Sequence, residues 1–307
     1  MAHWSAIPLL TTAVGSYPSG ELAPKRAVQR AVEDQIAAGI DLISDGQVRA
    51  DTISLFAAGI PGFRQGPDGI WELAAPPDLP REPLAAADYL LARLLARDRA
   101  TVKGVITGPI TLAFSIRLAP GTPYSSNADQ QLILRLASIL AREAAALVAA
   151  GAEIVQIDEP MLPIAVRNGL DIELAERALR EVTALVPFPI LHTCGDVRPI
   201  AYELLALPIA ALNVAGARFD TLSAFEADDL ESAGIRLIYG CVNTRGPEQD
   251  TRQIIQERIK RAVEQLGPER LWLSPDCGLR LYSREDAQEV LSNLADAAQA
   301  VRARLDT

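Results

Sequence analysis

Eight short β-rich runs separated by longer helical segments constrain this chain more than any other feature. The runs fall at 9–15, 42–45, 103–107, 153–157, 189–193, 210–214, 236–240 and Leu271–Pro275. Several are apolar throughout rather than alternating, the pattern of a strand covered on both faces in a parallel sheet. Between them lie Ala- and Leu-rich stretches with a helical apolar period, among them 130–150, 172–186, 252–265 and Arg284–Leu305. Gly39, Gly151 and Gly267-Pro268 stand just ahead of the second, fourth and eighth runs, where helices must stop. Strand, helix, strand repeated in this way is the arithmetic of an α/β fold of the (β/α)8 TIM barrel kind. A length of 307 residues suits one such barrel, a single domain spanning 1–307. No domain boundary, low-complexity tract or short-period repeat interrupts it. The Pro/Gly-rich stretch 61–83 breaks the alternation and reads as an excursion on one face, either a lid or substrate loop or an ordinary surface insertion.

The formal net charge of −10 argues against nucleic acid and against an acidic membrane surface as partners. The three cysteines, Cys194, Cys241 and Cys277, are too few and too unevenly spaced for a disulfide framework. A reducing, cytoplasmic setting is expected, where thiols stay available. The segment after Met1 lacks the charged and apolar regions of a signal peptide. No uncharged apolar run approaches the ~20 residues that span a bilayer.

Polar and ligand-type residues gather at one end of nearly every run. Gly15-Ser16 follows the first, Asp45-Gly46-Gln47 the second, Thr107-Gly108-Pro109 the third and Asp158-Glu159-Pro160 the fourth. His192-Thr193-Cys194 ends the fifth, Cys241-Val242-Asn243 the seventh and Asp276-Cys277-Gly278 the eighth. In a barrel this end carries the active site.

His192 and Cys194 are two apart in a strand, so their side chains lean to one side. Alone, the pair is as readily a core histidine beside an inert cysteine. With Cys277 it makes the three-ligand set of a catalytic zinc site with one open position, which a substrate thiol would fill and lose its proton. Cys241 is either a fourth ligand or a small buried hydrophobe. Asp158 either holds the ammonium of an amino-acid substrate or caps the turn that follows. The turn at Val14-Gly15-Ser16 offers N–H groups and a hydroxyl to a carboxylate, and Gln47 adds a polar group to the same rim.

These residues carry a resemblance. Thr11-Thr12-Ala13-Val14-Gly15-Ser16-Tyr17-Pro18, Thr107-Gly108-Pro109-Ile110-Thr111, Gln156-Ile157-Asp158-Glu159-Pro160, His192-Thr193-Cys194 and Leu271-Trp272-Leu273-Ser274-Pro275-Asp276-Cys277-Gly278-Leu279 span nearly the whole chain. In that order they resemble the C-terminal catalytic barrel of cobalamin-independent methionine synthase. The resemblance implies that His192, Cys194 and Cys277 bind zinc, which takes the thiolate of homocysteine. It implies that Asp158 holds the amino group, and that Ser16 and the backbone near Val14 hold the carboxylate.

The chain departs from that pattern in two places. No carboxylate follows the sixth run, where Leu212-Asn213-Val214-Ala215-Gly216-Ala217 stands. The resting fourth zinc ligand is then Asn213, Cys241 or water. Gln47 occupies the position of a glutamate that helps hold the amino acid in folate-dependent enzymes, and a neutral amide bonds an ammonium without charge assistance.

The chain also begins at the catalytic barrel, without the second barrel of the folate-dependent enzymes. Short members of this kind are similar to core synthases fed by a corrinoid. The expectation is therefore a zinc methyltransferase making methionine from homocysteine, with methylcobalamin or a methylated corrinoid protein as donor. The alternatives are corrinoid-dependent methylation of another thiol, such as coenzyme M, and a non-catalytic barrel that binds a corrinoid partner.

Overall fold

The fold is that of a computed structural model, which describes residues 3–246 and 249–305. Six parallel strands run side by side in the order Gly104–Thr107, Ile154–Asp158, Phe188–Thr193, Ala211–Ala215, Arg236–Val242 and Leu271–Pro275. They are the third to eighth staves of a barrel. The second stave, Leu42–Ile43, pairs in parallel with Thr101–Val102, which Lys103 joins to Gly104–Thr107. Thr11 bridges Leu273 and Thr12 bridges Leu42, so the ring closes. The (β/α)8 barrel expected from the alternation of runs is the observed fold.

Two expectations about elements change. Run 9–15 is not a full strand: among the described residues its β-bridges fall at Thr11 and Thr12 alone. The carboxylate of Asp41 takes the Thr11 N–H at 2.8 Å and its hydroxyl at 2.8 Å, so side-chain bonds replace part of the ladder. The 61–83 excursion is ordered as well. Phe63–Gln65 and Trp71–Leu73 form an antiparallel pair, and Arg117–Leu118 adds in parallel to the second. This small sheet lies outside the barrel, tied to it where the Trp71 indole donates to Ser54 Oγ at 3.0 Å.

Side chains alternate along each stave, which sorts the barrel interior into levels. Leu10, Leu42, Ile154, Ile190, Ala211, Ile238 and Trp272 form an apolar floor distinct from the main core. Trp4, from the N-terminal segment, closes that floor from outside, with its ring edge-on to Phe188 at 4.9 Å and to Trp272 at 5.7 Å. Two residues further along the same staves the side chains are polar and buried: Thr12, Gln156, His192, Asn213 and Ser274. A further step along lie Val14, Asp158 and Cys194, at the end where the strands stop.

The main core fills the space between staves and helices. The long helices Gln130–Ala149 and Arg284–Leu305 each bury one apolar stripe there. Helix starts are capped by side chains at Asp51, Asp129, Asp171 and Thr251, which satisfy backbone N–H groups left without partners.

Candidate active site

The fifth stave delivers His192 and Cys194 to the mouth of the barrel, and the turn after the eighth delivers Cys277. Cys194 Sγ lies 3.1 Å from His192 Nε2 and 3.7 Å from Cys277 Sγ. The two sulfurs share one hydrogen bond. That bond, with His192 and the Arg245 guanidinium, pulls the Cys277 thiol far below its ordinary range, against the effect of burial. The same contact and burial push Cys194 well up. The contact thus favours one thiolate and one thiol sharing a proton between the two sulfurs. Arg245 Nη2 stands 3.8 Å from Cys277 Sγ.

Ligands about 2.0–2.3 Å from a tetrahedral ion would lie roughly 3.4–3.8 Å from one another. The sulfur pair has that spacing, but the imidazole–thiol pair has closed to hydrogen-bond contact. Among the described residues no group of three or more His, Cys, Asp or Glu side chains is arranged to hold a metal ion. The zinc site expected at His192, Cys194 and Cys277 is corrected accordingly: the structure brings the three together as a sulfur–imidazole trio. Nδ1 of His192, on the far side of the ring, is buried without a hydrogen-bond partner. The two protein groups considered as a fourth ligand are engaged elsewhere. Asn213 Oδ1 accepts from Ser274 Oγ at 3.1 Å, and Cys241 lies fully buried in the hydrophobic core with its thiol 3.7 Å from the Ser274 carbonyl.

Asp158 ends the fourth stave and is 5% exposed. Its Oδ1 accepts from Gln156 Nε2 at 2.6 Å, and its Oδ2 lies 3.4 Å from Gln47 Nε2. Burial raises its pKa, while His192, Gln156, Lys103 and Gln47 all act to keep it ionised. Gln47 sits in a left-handed turn with φ 45°, braced by its N–H on Asp45 Oδ1 at 2.9 Å and by Arg280 on its carbonyl. The Val14 carbonyl accepts from Gln156 Nε2 at 2.7 Å. Ser16 packs on Gly278, where a Cβ would lie 2.1 Å from Ser16 Oγ, and its carbonyl accepts the Leu279 N–H at 2.8 Å. The predicted residues Val14, Ser16, Gln47, Asp158, His192, Cys194 and Cys277 thus gather at one end of the barrel.

Three contributors were given no individual role from the sequence. Lys103 and Gln156 lie beneath Asp158. Asp276 accepts from the backbone N–H groups of Gly216, Ala217 and Arg218 at 2.9–3.1 Å, so it fastens the loop after the sixth stave. Burial lifts Asp276 to about 6. A cavity of about 210 Å³ opens over the sulfurs, bordered by Cys194, Cys277, Arg218, Phe219, Thr244 and Asp276. A larger cavity of about 770 Å³ lies at the opposite face beside Trp4 and Arg93. There Arg93 is paired with the Ala150 carbonyl and Glu153 with the Trp4 indole, and none of the sulfur chemistry reaches it.

The sequence profile described as "Cobalamin-independent synthase, Catalytic domain" matches residues 19–300. The chain belongs to the cobalamin-independent methionine synthase family. It is 33% identical to a methionine synthase of Methanothermobacter thermautotrophicus over 94% of this chain and 99% of that protein. A methionine synthase of Methanocaldococcus jannaschii is 30% identical over 96% and 100%. In fold, the chain is similar to a B12-independent methionine synthase from Shewanella sp. W3-18-1, solved in complex with selenomethionine. That likeness has a TM-score of 0.81 at 21% identity and covers 97% of this chain and 99% of that one.

As a member of the methionine synthase family, this barrel is a methyltransferase-type enzyme. Membership also overturns one expectation. The methylcobalamin or corrinoid-protein donor, and with it both corrinoid-based alternatives, conflicts with a family and structural relatives described as independent of cobalamin. Among the described residues no helix is long and apolar enough to cross a membrane.

Proposed function

We propose that this barrel, acting as a single catalytic domain, transfers a methyl group to the sulfur of homocysteine from a donor that is not a corrinoid. The observation that carries the reading is convergence: the sulfur–imidazole trio and the buried carboxylate of Asp158 open onto the same mouth. Asp158 and Gln47 suit the ammonium of a small amino acid, the Ser16 hydroxyl and the turn at Val14 suit its carboxylate, and the trio suits its sulfur. In the reaction the acceptor thiol gives up its proton and its sulfur bonds the methyl carbon. The donor–methyl bond breaks, and the electron pair leaves with the donor, which takes up a proton.

The role of His192, Cys194 and Cys277 at the substrate sulfur is part of the same proposal. The three cysteines are free, in keeping with work in a reducing cytoplasm.

The test is methyl transfer without added corrinoid, with methyltetrahydrofolate and its polyglutamates as donors, on metal-analysed protein. Homocysteine should be converted to methionine, and thiols lacking an α-amino group, such as coenzyme M, should be poor acceptors. Equal transfer to both kinds of thiol, or none to homocysteine from any of these donors, would overturn the proposal.

A further inference from the structure

Between the apolar floor and the mouth the barrel holds a lysine for which the reaction above has no use. Lys103 is 1% exposed and sits at the irregularity that joins Thr101–Val102 to Gly104–Thr107. Its Nζ donates to the Ala13 carbonyl at 2.7 Å and to Gln156 Oε1 at 2.6 Å. A buried ammonium is costly, and an apolar side chain would fill the same space more cheaply. Burial drives its pKa down to about 7, with the Asp158 carboxylate acting the other way.

The lysine decides which way the Gln156 amide faces. With Oε1 committed to Nζ, the amide NH2 is turned towards Val14 O at 2.7 Å and Asp158 Oδ1 at 2.6 Å. A flipped amide would set its NH2 against the ammonium and its oxygen against the carboxylate and the carbonyl, so every contact would be repulsive. One cation thus orients, through one amide, two oxygens at the mouth.

We infer that Lys103 is a positioning residue, which acts through Gln156 to hold the Asp158 carboxylate in the arrangement that receives the acceptor's amino group, and the turn at Val14 beside it. The inference rests on the proposed role of Asp158.

The experiment measures kcat and the homocysteine KM for Lys103→Met, Gln156→Glu, Asp158→Asn and the Lys103→Met/Asp158→Asn double variant. Lys103→Met should raise KM about tenfold or more while kcat stays within about threefold, the signature of lost substrate binding. Gln156→Glu should move KM the same way. It keeps a partner for the lysine, so it serves if Lys103→Met does not fold. The double variant should be no worse than Asp158→Asn alone, because both changes remove one interaction. Additive penalties, a loss confined to kcat, or a KM unmoved in both Lys103→Met and Gln156→Glu would overturn the inference. If Asp158→Asn itself leaves KM unmoved, the role of Asp158 falls and takes the inference with it. A raised KM in Asp158→Asn alone sinks only the inference.

Discussion

Gly278 is a glycine because Ser16 occupies the space a side chain would need. An added Cβ would meet Ser16 Oγ at 2.1 Å, and Gly278 follows directly on Cys277. Relief of that clash must move either the Ser16 hydroxyl or the cysteine. Gly278→Ala should therefore lower kcat/KM at least about tenfold, since small misplacements in a reacting constellation are expensive. Stability should fall by about 1–3 kcal/mol, the usual cost of overpacking; steady-state kinetics and thermal melts check the two parts. Residues of this kind differ in how visible they are before folding. His192, Cys194 and Cys277 stand out because imidazole and thiol are rare side chains with few other uses. Lys103 does not, since a lysine at the start of an apolar run looks like an ordinary strand edge. Only the closed ring turns it inward, onto Gln156 and the Ala13 carbonyl.

At the scale of single elements, the short helix Pro109–Phe114 depends on a carboxylate from a neighbouring stave. Glu159 is fully buried and accepts from the N–H groups of Ile110 at 3.0 Å and Thr111 at 2.6 Å, donors that a helix start leaves unpaired. Burial outweighs these bonds and lifts its pKa to about 7. The folded chain thus holds this proton more tightly than the unfolded chain. The stability linked to Glu159 is complete below its unfolded value near 4.5, is lost as pH rises through about 7, and then levels off. At about 1.4 kcal/mol per pH unit the limb amounts to roughly 3 kcal/mol. Calorimetric melts from pH 4.5 to 8 should show it on top of the limb from Asp276, and Glu159→Gln should remove the Glu159 share. Elements were legible from sequence where period and punctuation agreed. The eighth stave and the helix Arg284–Leu305 have the expected bounds, because Gly267-Pro268 and a sustained apolar stripe mark them. The sheet at 61–83 was not, because its strands are three residues long and their partner Arg117–Leu118 lies far along the chain.

The whole molecule is held as a ring by its first and last helices. Asp34 on Pro24–Ala37 is buried and accepts from Arg284 at 2.8 and 2.6 Å, from Gln288 at 2.9 Å and from the Tyr17 hydroxyl at 3.1 Å. Asp34→Ala leaves those donors without a partner and should cost about 2–4 kcal/mol, measurable as a lower urea midpoint. At this scale the barrel was readable, because eight apolar runs admit few other closed arrangements. The methyl donor was not, because it depends on what docks at the mouth, and no single residue there states it.

The floor sealed by Trp4, Phe188 and Trp272 has a further meaning. A barrel shut at its base has one doorway, so both reactants arrive and both products depart through the same opening. Asp158 is more buried than Cys194 and Cys277, so on the role proposed for it the amino acid is the inner guest and the donor the outer one. Traffic then has an imposed sequence, in which the acceptor is first in and, as product, last out, with the donor standing in its exit until the methyl group has moved.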